Sequence, residues 1–479
     1  MSINVKKNLE PEKKKTGNRA VTDQYGTDYE LTGLVGSGGQ GSVCSTQYPG
    51  VLLKIFNQKS SVEQKKEWID RIQWIMRQNL EQLNIASPKA LIIKPTAGYV
   101  MELMDDLIPL QDLIIETKES LEKGEGLQGF LSTGGLNRRF SILAKLARLL
   151  ADLHARGLAY GDLSPANIFI SKSINEAEVW LIDCDNLTTS CRVSEQHIHT
   201  PGYGAPEVVE GTRGVNTLTD SWSFSTIAFE ILSLIHPLKG DLVEDGEPEL
   251  EEQAYQGKFP WVDHPDDSSN YTSVGLSREM VCTRRIRELF EACFNAGMLQ
   301  QSLRPTMNAW AEAFEAAANI CILCESCSSS FVYRPDHVCP FCDHKQSPEN
   351  HLLLRHYLYS ASLAEDREIK ASPWISTGHA CVLKKQKEIV LRNSPPGSRF
   401  YNQSDELCRI EYSGEGVTIK PKPTCKVVLQ QQGSQKKELI TRIWKCNTSE
   451  RTQQRYMLHL MNKTAESQGS GHNVWHFIW

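Results

Sequence analysis

The sequence predicts an α+β chain: a small sheet with one helix, then a helix-rich region, a cysteine knuckle pair and a C-terminal all-β domain. Three observations predict this. Residues 29–103 carry short apolar blocks around a glycine cluster, the pattern of strands joined by turns. Apolar residues then recur at helical spacing over 136–156 and fill 220–235. Beyond His351 strand-length blocks return at short intervals, as in a separate β domain.

The 479 residues fit about three domains at roughly 150 residues each. The 40% apolar and 23% charged content excludes a largely disordered or fibrous chain. With 52 basic and 58 acidic side chains the net charge is −6, so no basic excess draws nucleic acid or an anionic membrane. No apolar run reaches the roughly 18 residues of a membrane helix. The Lys-rich start has no apolar h-region, so no secretory signal is expected. The 14 cysteines then read as free or metal-bound thiols in a reducing, cytoplasmic setting.

Residues 1–28 are polar, Lys-rich and aperiodic, which predicts a flexible tail. Leu31, Leu34, Val43 and the run Val51–Phe56 predict strand, turn, strand, strand, and residues 61–83 a helix. Tyr99–Leu103 reads as a further strand. Phe140, Leu143, Leu146, Leu150 and Leu153 share one helix face, and Gly157 stops that helix. Residues 117–135 read as a loop, 240–270 as a solvated acidic excursion, and 278–319 as a helix pair. Six strands are expected in the C-terminal domain: His379–Leu383, Glu388–Arg392, Leu407–Tyr412, Gly416–Lys420, Lys426–Gln430 and Glu438–Trp444.

Gly36-Ser37-Gly38-Gly39-Gln40-Gly41-Ser42-Val43 fits G-x-G-x-x-G-x-V, whose glycines let backbone N–H groups approach phosphate oxygens. A dinucleotide fold would open a helix here, whereas this loop opens onto another strand. A bare glycine turn is the competing reading. Lys54 sits in the next apolar strand, where an isolated charge is costly and needs a partner. Nucleotide phosphates fit, as does a glutamate of the following helix: Glu67, or Glu63 one turn earlier.

Asp162 and Asn167 follow the helix over 136–156, and Asp183 ends the apolar run Val179–Ile182. A hairpin of Ile168–Ile170 with Val179–Ile182 brings Asn167 and Asp183 together, two hard oxygen ligands suited to Mg²⁺. Asp162 is placed to orient an attacking hydroxyl. Turn capping is the plainer reading of Asp162 and Asn167.

These motifs resemble the eukaryotic-type Ser/Thr protein kinases over residues 29–319. The resemblance implies a bilobal fold and ATP- and Mg²⁺-dependent phosphorylation of a protein substrate. Catalytic roles then fall to Asp162, Lys54 and Glu67. The nucleotide would be held by Gly36, Ser37, Gly38, Gly39, Gly41, Val43, Lys54, Glu102, Met104, Asn167 and Asp183, with Met101–Met104 as gatekeeper and hinge and Asn167 and Asp183 on Mg²⁺. Gly204-Ala205-Pro206-Glu207 matches the A-P-E segment, Asp220–Phe224 the start of the buried central helix, and Arg304 the late arginine that pairs with its glutamate. The sequence departs from the family at Tyr160-Gly161-Asp162 for His-Arg-Asp, at Ser164 for a lysine, and at Asp183-Cys184-Asp185 for Asp-Phe-Gly. Gly161 removes the usual partner of an activation-loop phosphate on Thr188, Thr189, Ser190, Ser194 or Thr200, although Arg192 lies in the same segment. The alternatives are a small-molecule kinase of the aminoglycoside or choline type and a pseudokinase scaffold.

Cys324-x₂-Cys327-x₁₁-Cys339-x₂-Cys342 has the two-knuckle spacing of a tetrahedral Zn²⁺ site, which predicts a zinc ribbon over 320–346 followed by the β-rich domain over 351–479. That order of modules resembles bacterial kinases of tellurium-resistance-associated phosphorylation systems. It implies partners with a von Willebrand A-type domain and a PP2C-type phosphatase.

Overall fold

The computed structural model describes residues 20–37, 41–56, 61–189, 198–365, 372–398, 401–434, 436–451, 453–462 and 471–479. The chain divides into two compact units. The first comprises Met1–Asp112, Asp152–Ser173 and Glu178–Ser223; the second comprises Leu113–Ala151, Ile174–Ala177 and Phe224–Trp479.

In the first unit, six antiparallel strands close a barrel in the order β1-β2-β3-β4-β6-β5. These are β1 (Ala20–Asp23), β2 (Asp28–Ser37), β3 (Gly41–Thr46), β4 (Val51–Phe56), β5 (Ala90–Lys94) and β6 (Gly98–Glu102). Val21, Tyr29, Leu53, Ala90, Ile92 and Val100 fill it. β1 corrects the expected tail over 1–28. Val21 and Asp23 are buried, and Asp23 accepts a hydrogen bond from the Tyr29 hydroxyl at 3.1 Å. A single inward valine among polar neighbours gives no periodic signal. Residues 1–19 lie outside the described residues.

One helix follows, α1 (Val62–Met76). Ser61 caps it: the Ser61 hydroxyl accepts from the Gln64 N–H at 3.2 Å, and the Gln64 side chain accepts from the Ser61 N–H at 2.9 Å. Its buried face is Trp68, Ile72 and Ile75, an i, i+4, i+7 stripe. The hairpin expected from the sequence is present. Ile168–Ser171 pairs antiparallel with Val179–Leu181, Ile168 opposite Leu181.

The second unit has an aromatic core. Phe224 and Trp310 lie 5.7 Å apart, Trp310 and Phe314 5.7 Å, and Phe229 and Phe290 5.2 Å. Their helices are Thr217–Ser233, Arg284–Phe294 and Met307–Asn319. The first is buried on every side from Trp222 to Leu232, its apolar residues interrupted by buried Ser223, Ser225, Thr226 and Glu230. Two expected loops are partly ordered otherwise. Residues 117–135 contain the end of the helix Leu110–Glu122 and the short helix Gln128–Ser132. The acidic excursion carries fully buried Asn270, whose amide donates to the Leu238 and Pro260 carbonyls, each at 2.9 Å. Composition alone does not reveal a polar side chain spent on backbone acceptors.

Beyond Asn319, Cys321–Leu323 pairs with Ser330–Val332 under the cysteine knuckles. The C-terminal residues form two antiparallel sheets. The six-stranded one runs in the order Trp374–Lys384, His351–Tyr359, His472–Ile478, Arg455–Asn462, Cys425–Gln431 and Lys437–Ile440. The four-stranded one runs Lys387–Arg392, Glu406–Tyr412, Gly416–Pro421 and Trp444–Asn447. Leucines, Val427, Trp475 and Trp479 share one core with Ile410 and Ile419. The expected strand Glu438–Trp444 is two strands in different sheets, because the chain switches sheets between Ile440 and Trp444.

Candidate active site and cysteine centre

Every described residue of the candidate active site belongs to the first unit. The glycine cluster lies between β2 and β3, with Gly36 opposite Val43 and Ser37 opposite Ser42. Gly38 and Gly39 lie outside the described residues. A Cβ at Gly41 would stand 2.2 Å from the Ile55 carbonyl oxygen, so only glycine lets β3 lie this close to β4. The loop joins two strands and opens no helix, which removes the dinucleotide alternative. Glu102 ends β6 and is exposed, as is Met104 just beyond it.

Lys54 projects from β4 and is buried. Its amine donates to Asp183, and to Asp185 Oδ2 at 2.9 Å. Burial alone would lower the Lys54 pKa, but the charges of Asp185 and Asp183 outweigh it and the net shift is upward. Burial raises the Asp183 pKa, opposed by Lys54 and reinforced by the charge of Asp185.

The expected pair of Lys54 with Glu67 is not made: Glu67 and Glu63 are both exposed on α1. The stripe of Trp68, Ile72 and Ile75 turns inward, and Glu67 sits about 100° away around the helix. Trp68 stacks between Phe56 at 4.7 Å and Tyr99 at 5.8 Å. Its indole N–H donates to Asp185 Oδ2 at 3.1 Å, and the Tyr99 hydroxyl donates to Asp185 Oδ1 at 2.8 Å. Arg71 donates to the Asp185 carbonyl, and to that of Leu187 at 3.0 Å. The carboxylate of Asp185 therefore accepts three hydrogen bonds, enough to hold a buried charge. Local spacing points to no role for Asp185. The signal was Trp68 in register with Ile72 and Ile75, a buried indole that needs an acceptor.

Asp162 lies in the loop before the hairpin. Its Oδ1 accepts from the Thr200 hydroxyl at 2.8 Å, and its carbonyl accepts from the Asn167 amide at 3.0 Å. Asn167 and Asp183 flank the paired strands at one end, where the Ile182 N–H donates to the Asn167 carbonyl at 3.1 Å. Asp183 takes a left-handed backbone, φ 55°, which an aspartate tolerates better than most residues. Asp220 positions the loop from the other side. Its two oxygens accept from the Tyr160 and Gly161 N–H groups at 2.7 and 2.9 Å, and Oδ2 lies 2.9 Å from His154 Nε2. Gly161 has φ 93°, and a Cβ there would meet the Asn186 carbonyl oxygen at 2.8 Å. An arginine therefore does not fit that backbone, which gives the departure at Gly161 a steric cause. Ser190, Ser194 and Arg192 lie outside the described residues.

In the second unit, the sulfurs of Cys324, Cys327, Cys339 and Cys342 all lie within 4.8 Å of one another. Cys324 and Cys342 are 3.6 Å apart, and Cys327 and Cys339 3.8 Å. Tetrahedral thiolates at Zn–S distances near 2.3 Å stand about 3.8 Å apart. The Ser326 N–H and the Gln346 amide donate to Cys324 Sγ at 3.4 and 3.3 Å, partners suited to a thiolate. The four residues thus fit a tetrahedral ion in chemistry and spacing. Arg304 is buried in the same unit and donates to the Gly297 carbonyl at 2.8 Å.

Comparison with known proteins matches residues 29–315 to the protein kinase domain. Serine/threonine-protein kinase pkn2 of Myxococcus xanthus is 32% identical over 129 residues, 25% of this chain and 15% of that protein. Serine/threonine-protein kinase mos of Gallus gallus is 22% identical over 297 residues, 58% of this chain and 80% of that protein. A RAC family serine/threonine-protein kinase homolog of Dictyostelium discoideum is 25% identical over 228 residues, 46% of this chain and 47% of that protein. The chain belongs to the protein kinase family, and these three relatives are serine/threonine-protein kinases. Among the described residues no helix is long and apolar enough to cross a membrane.

Proposed function

We propose that the chain is an ATP- and Mg²⁺-dependent kinase that phosphorylates serine or threonine of a protein partner. The observation that carries this reading is the joint placement of Lys54, Asp183 and Asn167, with Asp162 five residues before Asn167. When bound, Mg²⁺ neutralises charge on the transferring phosphoryl group. Asn167 and Asp183 supply its protein oxygens, and Lys54 meets the α- and β-phosphates. Asp162 receives the substrate hydroxyl in the place now taken by the Thr200 hydroxyl, orients it and accepts its proton late in transfer. With Mg²⁺ bound, Asp183 would be held by the metal rather than by Lys54, and Asp185 would keep Lys54 in place. Asp185 thus does the work first expected of Glu67.

The Cys₄ cluster would hold a structural zinc, with the ribbon and the β domain as docking modules. A von Willebrand A-type protein is the partner substrate to assay first, and a PP2C-type phosphatase the enzyme expected to reverse the reaction. With Gly161 in place of the phosphate-binding arginine, control falls to docking. The direct Lys54–Asp183 pair, which occupies a metal ligand, favours a second reading: a scaffold without transfer.

The test is transfer of label from γ-labelled ATP to a protein partner. Wild type should transfer, and Asp162→Asn should lose about a hundredfold or more while binding ATP within a few-fold. Transfer by the variant at the wild-type rate removes Asp162 from this role. Nucleotide binding with no transfer to any protein favours the scaffold.

A further inference from the structure

The second unit contains a cavity of about 480 Å³ bounded by the cysteine knuckles and one face of the six-stranded sheet. That volume lies within the range of small-ligand pockets. The strand His351–Tyr359 builds one wall. Strand alternation sends Leu352 and Leu354 into the core and leaves His351, Leu353, Arg355 and Tyr357 on the cavity side. Arg355 stands opposite His476 in the neighbouring strand, and the His476 ring stacks on Tyr357 at 4.2 Å. The knuckle segment contributes Tyr333 and His337, whose rings meet edge to face at 5.2 Å. Arg451 and Arg455 complete the lining.

One feature suits this cavity to an anion. Three guanidiniums line it, and among the described lining residues there is no Asp or Glu. Arg451 is held in the wall by hydrogen bonds from its guanidinium to the Tyr412 hydroxyl and the Pro348 carbonyl, each at 3.3 Å. Burial holds the pKa of His351 and His476 down, and for His476 the charges of Arg355 and Arg455 add to this. The positive charge of the site resides on the arginines.

We propose that this cavity binds a phosphate monoester, carried as phosphoserine or phosphothreonine on a peptide. A phosphate monoester brings about two negative charges and three acceptor oxygens, which suit three guanidiniums. A single carboxylate would leave most of that charge uncompensated. Trp374, Leu353 and Ile478 add apolar wall on which residues flanking the phosphate can lie. The anion class rests on the cavity alone. The peptide as its source rests on the kinase reading, since a protein kinase makes this ester.

Fluorescence anisotropy of the full chain, without ATP, tests the proposal with a labelled phosphoserine peptide and its unphosphorylated twin. The phosphopeptide should bind at least about tenfold tighter. Arg355 and Arg455 are exposed, so the double variant Arg355→Ala/Arg455→Ala should stay folded and lose that preference. Folding is checked by its circular dichroism and by its thermal melt. Equal binding of the two peptides, or phosphopeptide binding unchanged in the double variant, would overturn the site. Inorganic phosphate or adenosine monophosphate competing as well as the phosphopeptide would overturn the peptide assignment. Because the peptide is synthetic, a catalytically dead chain would still give these results.

Discussion

The candidate active site and the C-terminal cavity both gather charged and aromatic side chains, but they satisfy them differently. Around Asp185 each oxygen has its donors: Lys54 and Trp68 on one, Tyr99 on the other. Asp220 likewise serves the Tyr160 and Gly161 N–H groups and His154. In the C-terminal cavity, Arg355, Arg451 and Arg455 line the wall with no Asp or Glu among the described lining residues. A closed network fixes geometry before a substrate arrives, as phosphoryl transfer needs. Guanidiniums with no carboxylate beside them leave charge that an anion can compensate. The first arrangement suits chemistry and the second suits recognition.

The strongest test of this contrast is the metal proposed for the cysteine knuckles. Purified protein should carry one zinc per chain, and Cys339→Ser should lose it. Metal binding supplies about 10 kcal/mol or more of folding free energy in such small sites. The variant should therefore lose the ribbon fold, and the cavity with it, while nucleotide binding persists. Elemental analysis finding no zinc, or only iron, ends that reading.

Next in size is the closed network. Asp185→Asn removes the buried counter-charge of Lys54 and should cut transfer by about ten- to a hundredfold, the range for a charge-assisted bond. Glu67→Ala should stay within about twofold, as an exposed substitution. A larger loss from Glu67→Ala than from Asp185→Asn would mean that a different pairing of Lys54 operates in catalysis.

The C-terminal domain should then show an acid response of its own. Burial lowers the pKa of His356 and of His459 to about 4, with a further push on His459 from His472. Below pH 6.5 the unfolded histidines take up protons that the folded domain refuses until about 4. Stability is therefore full above pH 6.5 and falls as the pH drops toward 4, by roughly 3 kcal/mol per histidine. Thermal melts across that window check it, and His356→Gln should flatten the slope.

The smallest effect is expected from Trp68→Phe. The ring stack between Phe56 and Tyr99 is kept, and only the indole N–H to Asp185 is lost. Transfer should fall by no more than about fivefold, the equivalent of one hydrogen bond of about 1 kcal/mol. A loss as large as that of Asp185→Asn would show that the aromatic packing itself positions α1.

The sequence by itself determined what lies in local spacing. The glycine loop, Lys54 in its strand, the Asp162–Asn167 interval, the hairpin leading to Asp183 and the C-x₂-C pairs are all read within a few residues, because turn geometry and ligand reach are local. Periodicity likewise placed the helix over 136–156 and apolar composition the buried helix over 220–235, which form as Gly135–His154 and Thr217–Ser233. Only the tertiary structure decided which acid holds Lys54. Glu67 and Asp185 are both acidic, and the rotation of α1 that buries Trp68 exposes one and gives the other its donors. It also joined Arg355, Arg451, Arg455 and His476 from three segments into one cavity. Strand alternation gives the face on which each residue sits, but not which strands pair. That depends on long-range contacts that no local pattern encodes.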